Sequence, residues 1–146
     1  MCIRDRGIIE GAAATALRYR ASLNAEDIRV FADAHVKHGS HAIVADRSVA
    51  ELTRDVDFFQ ADCVIATGQR TGDAADLGEI DAIRSATRLP LLVGSGATRE
   101  NIGLILAKTD GVIVASSLKA GGVWWNPVEL AQVKAFMESA EAQLGA

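Results

Sequence analysis

The stretch PLLVGSGAT, residues 90–98, decides the fold class of this chain. Its first half is a short apolar run bounded by a proline and glycines, which is typical of a strand buried on both faces of a sheet. The glycines then predict a tight turn, and Thr98 is an N-cap candidate for a helix with an apolar face from Ile102 to Leu106. A buried strand that leads directly into a helix is the repeating unit of a parallel α/β fold.

The same unit recurs along the chain. Ser48 and Asp76 each begin a capping box with a glutamate three residues later, so each predicts a helix start. Asn126-Pro127 predicts a third start, because proline is favoured at the first helical position. Further strands are predicted over 28–35, 61–67 and 111–115, and a further helix over 11–21.

Four strands that alternate with helices predict an α/β fold. We interpret it as the C-terminal half, about four βα units, of a (βα)8 TIM barrel truncated at the N-terminus. No GxGxxG motif opens the first unit, which disfavours a dinucleotide-binding sheet. A half barrel has two unpaired edges, so we expect a missing N-terminal half upstream, or a second copy in a homo-oligomer, to complete it.

Residues 1–6, MCIRDR, have neither an apolar period nor a helix cap. We interpret them as a non-native leader of the kind that a sequencing artefact leaves, with a genuine but disordered N-terminus as the alternative. The domain is therefore expected to occupy residues 7–146.

Composition limits the classes of function. The 146 residues are 49% hydrophobic and 23% charged, as in a globular protein. A net charge of -4 without any basic run argues against nucleic acid as a partner, and no apolar run is long enough for an intrinsic membrane segment. The two cysteines lack metal or redox spacing, which favours a reducing compartment, and we expect the cytoplasm.

Two consecutive strand ends carry residues suited to an anion. Gly94, Ser95 and Gly96 follow one strand, and Ser116, Ser117 and Lys119 follow the next. Glycines allow the backbone to approach a ligand, and free N–H groups at such turns bind phosphate. In TIM barrels the last two loops commonly bind phosphate, so we expect a small anionic ligand here, although a lone GSG can also be an ordinary turn.

Other polar residues follow the first two strands. Strand alternation places Asp33, His35 and Lys37 on one face, where they predict either proton transfer or a polar network without catalysis. Only two types of metal ligand, an acid and an imidazole, are present at this strand end, so no metal site is predicted. The sequence does not identify a cofactor. Thr67, Gly68 and Thr71 belong to a flexible polar loop that suits a lid or a hydroxyl-rich ligand such as a sugar.

Several of these segments together resemble the BtpA/SgcQ family. The similarity covers residues 7–146, with Ala115-Ser116 standing where glycine and threonine are more usual and with Trp125 as an additional residue. The segments are GIIEG (7–11), FADAHVKH (31–38), Thr67-Gly68 with Thr71-Gly72, VGSG (93–96), DGVIVASSLK (110–119) and GGVWWNPV (121–128).

The resemblance implies a TIM-barrel protein whose activity is poorly defined. One branch of the family is linked to photosystem I assembly as a peripheral membrane protein, and the other to sugar metabolism, so the fold alone does not choose between them. We expect an enzyme that acts on a phosphorylated or sugar-like metabolite. The alternative is a non-catalytic assembly or stability factor for photosystem I, with peripheral membrane association.

Overall fold

A four-stranded parallel sheet organises the computed structural model, which describes residues 2–4, 7–9, 11–36, 42–68 and 76–145. The sheet order is β3-β4-β5-β6, and a separate antiparallel pair, β1-β2, lies at the N-terminus. The strands are β1 (Cys2–Arg4), β2 (Gly7–Ile9), β3 (Phe31–Asp33), β4 (Cys63–Ala66), β5 (Leu91–Val93) and β6 (Gly111–Val112).

Helices connect the strands of the parallel sheet, as the sequence predicts. Ser48 caps α2 by accepting a hydrogen bond from the Glu51 N–H, and Asp76 caps α3 by accepting one from the Gly78 N–H. The predicted α/β class and both predicted N-caps are therefore confirmed. Among the described residues neither glutamate completes a capping box, because Glu51 pairs with Arg54 and Oε1 of Glu79 has no partner. The helices are α1 (Ala13–Ser22), α2 (Val49–Phe58), α3 (Leu77–Ala86), α4 (Ile102–Leu106) and α5 (Leu130–Leu144), and short 3-10 turns span Ala42–Val44, Ser116–Leu118 and Ala120–Gly122.

Two predicted helix starts are wrong. α5 begins at Leu130 with Glu129 as its N-cap, because the segment with Asn126 is held in an extended loop by an antiparallel bridge between Lys119 and Val128. The Asn126 side chain donates to the carbonyl of Ala120 within that loop instead of capping a helix.

The start of α4 also differs from the prediction. Asn101 is the N-cap of α4, and Thr98 lies one turn earlier. The Thr98 N–H donates to Oδ1 of Asn101, so the two residues close a turn between the glycine loop and the helix.

The hydrophobic core lies on one face of the parallel sheet. Val64 and Leu91 are register partners, as are Ala66 and Val93, and these four side chains are fully buried. Each of the helices α2–α5 contributes apolar side chains to this single core, which shows that the four helices cover the same face. The core-lining helix residues include Val49, Val56, Ile80, Ile83, Ile102, Ile105, Phe136 and Ala140.

The opposite face of the sheet lies outside the described core. Alternation along the strands and the register place Asp33, Ile65, Leu92 and Gly111 in one row on this face. Phe31 is 53% exposed, whereas its register partner Cys63 is buried and Ile65 and Leu92 are half-buried. Helices α2–α5 place their core residues on the other face.

Two aspartates bind the backbone at the N-terminal edge of the sheet in the same way. Asp62 donates its N–H to the carbonyl of Val30 and accepts the Val30 N–H at Oδ2, both at 2.8 Å. Asp110 makes the same pair of bonds with Leu91, at 2.9 and 2.8 Å. We call each arrangement an aspartate clamp.

An arginine completes each clamp. Arg29 donates to Asp62 at 2.8 Å, and Arg84 donates to Asp110 at 2.7 Å. The backbone N–H groups first, and then the arginines, hold the pKa of both carboxyl groups below the usual aspartate value.

Asp62→Asn and Asp110→Asn should each lower the Tm at pH 7 by a few degrees, because each removes the charge that its clamp binds. Each clamp lowers the pKa of its aspartate in the folded state. The stability that the charged carboxylate adds is therefore present above the unfolded pKa, and it is lost as the pH falls through the folded pKa. Thermal melts from pH 7 to about pH 2.5 should therefore show each variant and the wild type converging at acid pH.

Asp27→Asn is the matched control, because Asp27 is exposed and makes no hydrogen bond or ion pair with any residue that the structure describes. Its Tm should follow that of the wild type at every pH. If the Tm of the Asp62 variant stays below that of the wild type by the same amount down to the lowest pH, the charge of Asp62 does not contribute to stability.

Candidate functional site

A cavity of about 340 Å³ lies at the C-terminal ends of β5 and β6. It brings together the two loops that the sequence selects for anion binding, including all three residues of the GSG turn and both serines. We call it the β5–β6 cavity. Its lining consists of Gly94, Ser95, Gly96, Ala97, Thr98, Ile113, Val114, Ala115, Ser116, Ser117 and Gly122.

Polar groups of the β5–β6 cavity are left for a ligand. The N–H groups of Gly96 and Ala97 and the hydroxyl of Ser116 make no hydrogen bond to any residue within the described ranges. The Ser117 hydroxyl donates to the carbonyl of Ala97 at 2.7 Å and so joins the two loops. Gly96 has φ +69°, a left-handed conformation that favours glycine.

Gly94 is required by close packing beneath the same cavity. A Cβ atom there would lie 2.7 Å from Cγ2 of Ile65 and 2.8 Å from Cγ2 of Thr67, which is far inside contact distance. The buried Thr67 in turn donates its hydroxyl to the carbonyl of His35 at 3.1 Å and joins the ends of β4 and β3. Thr67 therefore has a structural contact, and its predicted ligand contact stays a prediction.

Lys119 is directed elsewhere. Its ammonium group donates to the carbonyl of Trp124 at 2.5 Å, and Lys119 is outside the lining of the β5–β6 cavity. The donors around this cavity are thus backbone N–H and hydroxyl groups.

A second cavity, of about 810 Å³, lies where β3 and β4 end and α2 and α3 begin. His35 and Gly68 line it from the strand ends, together with Arg47 before α2 and with Asp76 and Glu79 at the start of α3. We call it the β3–β4 cavity. Of the residues predicted for this region, Lys37 and Thr71 lie outside the described residues.

Asp33 and His35 line different cavities. Asp33 is exposed and borders an apolar groove of about 550 Å³ beside α1, whereas His35 is half-buried at the β3–β4 cavity. Ala34, between them, is buried in the core, as strand alternation predicts. The structure therefore does not bring the predicted Asp33–His35 pair to one cavity.

Glu79 shares a cavity with His35, as does Asp76. The Oε1 atom of Glu79 is buried, and burial, followed by the nearby charge of Asp76, raises the pKa of the Glu79 carboxyl. Sequence reasoning missed this residue because a glutamate three positions after Asp76 fits a capping box. The one indication in the sequence that Glu79 belongs to a site is its position, at the same end of the sheet as the predicted ligand-binding loops.

Within the described part of the chain, no group of three or more His, Cys, Asp or Glu residues could hold a metal ion. None of the helices described there is long and apolar enough to cross a membrane.

Comparison with known proteins gives the family. The model of the BtpA family matches residues 1–142. The chain belongs to the BtpA family. The matched range includes residues 1–6. The family is the one that the sequence motifs resemble.

Curated relatives in this family come from several domains of life. An uncharacterised mitochondrial protein of Caenorhabditis elegans is 40% identical over 136 residues, 93% of this chain and 49% of that protein. An uncharacterised protein of Pyrococcus abyssi is 41% identical over 126 residues, 86% of this chain and 47% of the relative. The photosystem I biogenesis protein BtpA of Synechocystis is 37% identical over 136 residues, 92% and 47% of the respective chains. The chain thus spans about half the length of the curated relatives it matches.

Gly94→Ala should lower the free energy of unfolding by about 1–3 kcal/mol, because the added methyl group overpacks the contact with Ile65 and Thr67. Gly11→Ala is the control, since a Cβ at Gly11 meets nothing within 4 Å. Chemical denaturation of both variants measures the difference. Equal stability of the two would show that the end of β5 can move away from β4 at little cost.

Proposed function

We propose that this BtpA-family chain is the C-terminal half of a (βα)8 barrel that binds a phosphorylated or sugar-like small molecule as an enzyme. The barrel is supported by the helices, since α2–α5 all cover one face of the parallel sheet. Doubly wound sheets carry helices on both faces, whereas a barrel carries them only outside. The opposite face of the sheet and the greater length of the relatives both fit an inner wall that further βα units complete.

The β5–β6 cavity is the observation that carries the proposed ligand. Two adjacent backbone N–H groups, at Gly96 and Ala97, border it without a partner among the described residues, and the Ser116 hydroxyl lies on the facing loop. Such groups bind anions with little reorganisation. In the proposed barrel these loops follow strands seven and eight, where phosphate commonly binds.

His35 is the proposed acid or base of the reaction. It follows β3 at the same edge of the sheet and lines a cavity large enough for a small metabolite. Lys37 is proposed to stabilise developing negative charge. The role predicted for Asp33, which is to orient the His35 imidazole, stays a prediction, since the two residues line different cavities.

A non-catalytic role is the second candidate. The Synechocystis relative is named for photosystem I biogenesis, which favours an assembly factor that keeps the barrel as a scaffold. An assembly factor needs no saturable site for a small anion, so ligand binding discriminates between the two proposals.

Phosphate should raise the Tm of the full-length protein in a saturable way, because a ligand that binds only the native state stabilises it by mass action. At a phosphate concentration of about 100 Kd the gain is about 2.7 kcal/mol. Thermal melts at constant ionic strength, with chloride replacing phosphate, separate binding from screening. An equal response to both anions would exclude an anion site at these loops.

Gly96→Val should abolish the phosphate response by blocking the approach of the anion to the backbone. Gly121→Val is the matched control, because Gly121 has a similar φ of +64° and lies outside the cavity lining. Both variants should lose stability from the strained backbone, but only the Gly121 variant should keep the response to phosphate. If both keep it, phosphate binds elsewhere.

Residues 7–146 expressed alone should associate or precipitate, because the outer edges of β3 and β6 have no strand partner in the sheet. Sedimentation velocity over a range of concentrations measures this. A monodisperse monomer with a single sharp thermal transition would contradict the half-barrel proposal.

A further inference from the structure

One carboxyl oxygen of the half-buried Glu79 lacks a partner in a place where burial makes this costly. Its Oε1 atom is buried and has no hydrogen-bond partner among the residues that the structure describes. Buried polar atoms of native proteins are nearly always paired, and exceptions concentrate at functional sites. Glu79 lines the β3–β4 cavity, so a ligand in that cavity could supply the missing donor.

The other charged groups at the start of α2 and α3 already have partners. Arg47 donates to Asp55 at 2.5 Å, which keeps its charge away from Glu79. Asp76 accepts the N–H groups of Gly78 at 2.6 Å and of Glu79 at 3.3 Å. The side chain of Glu79 is therefore not used for the helix cap, although its backbone is.

The comparison with Glu51 isolates what is special about Glu79. Both glutamates occupy the third position after a capping residue, Ser48 in one case and Asp76 in the other. Glu51 is exposed and pairs with Arg54, the ordinary behaviour of a surface glutamate in the first turn of a helix. Local helix chemistry thus does not require the Glu79 side chain to be buried.

We propose that Glu79 binds hydroxyl groups of the ligand, as a second subsite beside the anion site. This inference rests on the proposed function and names its substrate class: a polyhydroxylated compound with a phosphate at one end. A buried, unpaired carboxyl oxygen is a strong acceptor for hydroxyl donors, and the apolar side chains of Val44, Val49 and Leu52 line the same cavity for the carbon skeleton.

The spacing of the two subsites fits a sugar phosphate. The β3–β4 and β5–β6 cavities lie at the same edge of one sheet, displaced by two strands. Two strand spacings of about 4.8 Å place them roughly 10 Å apart. A six-carbon sugar phosphate spans a distance of this order.

The first arm of the test needs no ligand. Glu79→Met in the full-length protein should raise the Tm at pH 7 by about 2–4 °C, because it removes an unpaired buried carboxyl group at similar side-chain volume. Glu51→Met, the matched control, should lower the Tm slightly or leave it unchanged. If Glu79→Met lowers the Tm as well, its side chain is structural and the proposal is overturned.

The dependence on pH gives an independent readout. Burial raises the pKa of Glu79, so the folded state binds more protons than the unfolded state, and stability is lost as the pH rises through the folded pKa. The Tm advantage of Glu79→Met should therefore grow from about pH 4 upward. His35, Arg47 and Asp76 face the same cavity and remain in both proteins, so the difference between the variant and the wild type reports Glu79. An advantage that does not change with pH would overturn the proposal.

The second arm uses glucose 6-phosphate and inorganic phosphate as probes in thermal melts. Wild type should bind glucose 6-phosphate at least tenfold more tightly than phosphate. Glu79→Met and the milder Glu79→Gln should remove this difference while leaving the response to phosphate unchanged. If phosphate alone stabilises the wild type and the sugar adds nothing, the hydroxyl subsite is wrong and the anion site stands. If neither probe binds, the proposed function fails and with it the substrate class assigned here.

Discussion

The packing of helices α2–α5 against one face of the sheet is the constraint on which the rest of the structure depends. Val64, Ala66, Leu91 and Val93 supply that face, and these helices bury them. The crossovers through α2, α3 and α4 make consecutive strands parallel, so every strand of this sheet ends at the same edge. The loops that follow β3 to β6 must therefore meet at that edge, whatever their sequences.

The two cavities are a consequence of this convergence. After β5 the N–H groups of Gly96 and Ala97 have no partner among the described residues, and the serines after β6 line the same cavity. Beyond the ends of β3 and β4 lies a larger cavity that His35 and Glu79 border. Thr67 joins the strand ends at this edge of the sheet. Its hydroxyl bonds to the backbone of His35, and its methyl group leaves no room for a side chain at Gly94.

Features that depend on a few neighbouring residues could be predicted from the sequence. Features that depend on contacts between distant segments could not. The N-caps at Ser48 and Asp76 form as predicted, because a side-chain oxygen and an N–H three residues later suffice. Asn126-Pro127 has an equally good local pattern, but the bridge between Lys119 and Val128 holds it in a loop. Burial of Glu79 could not be predicted either, because Glu51 has the same local sequence pattern and stays exposed. Whether Asp33, Lys37 and Thr71 take part in chemistry remains a prediction.

The aspartate clamps divide the sheet into two-strand modules. One clamp fastens β3 to β4 and the other fastens β5 to β6. Between β4 and β5, the position of the aspartate is taken by Pro90, one residue before the Val64–Leu91 pair, and proline has no carboxylate to accept an N–H. Each two-strand module therefore has its own side-chain fastening at the edge remote from the cavities. The loops at the cavity edge can change in sequence without disturbing these bonds.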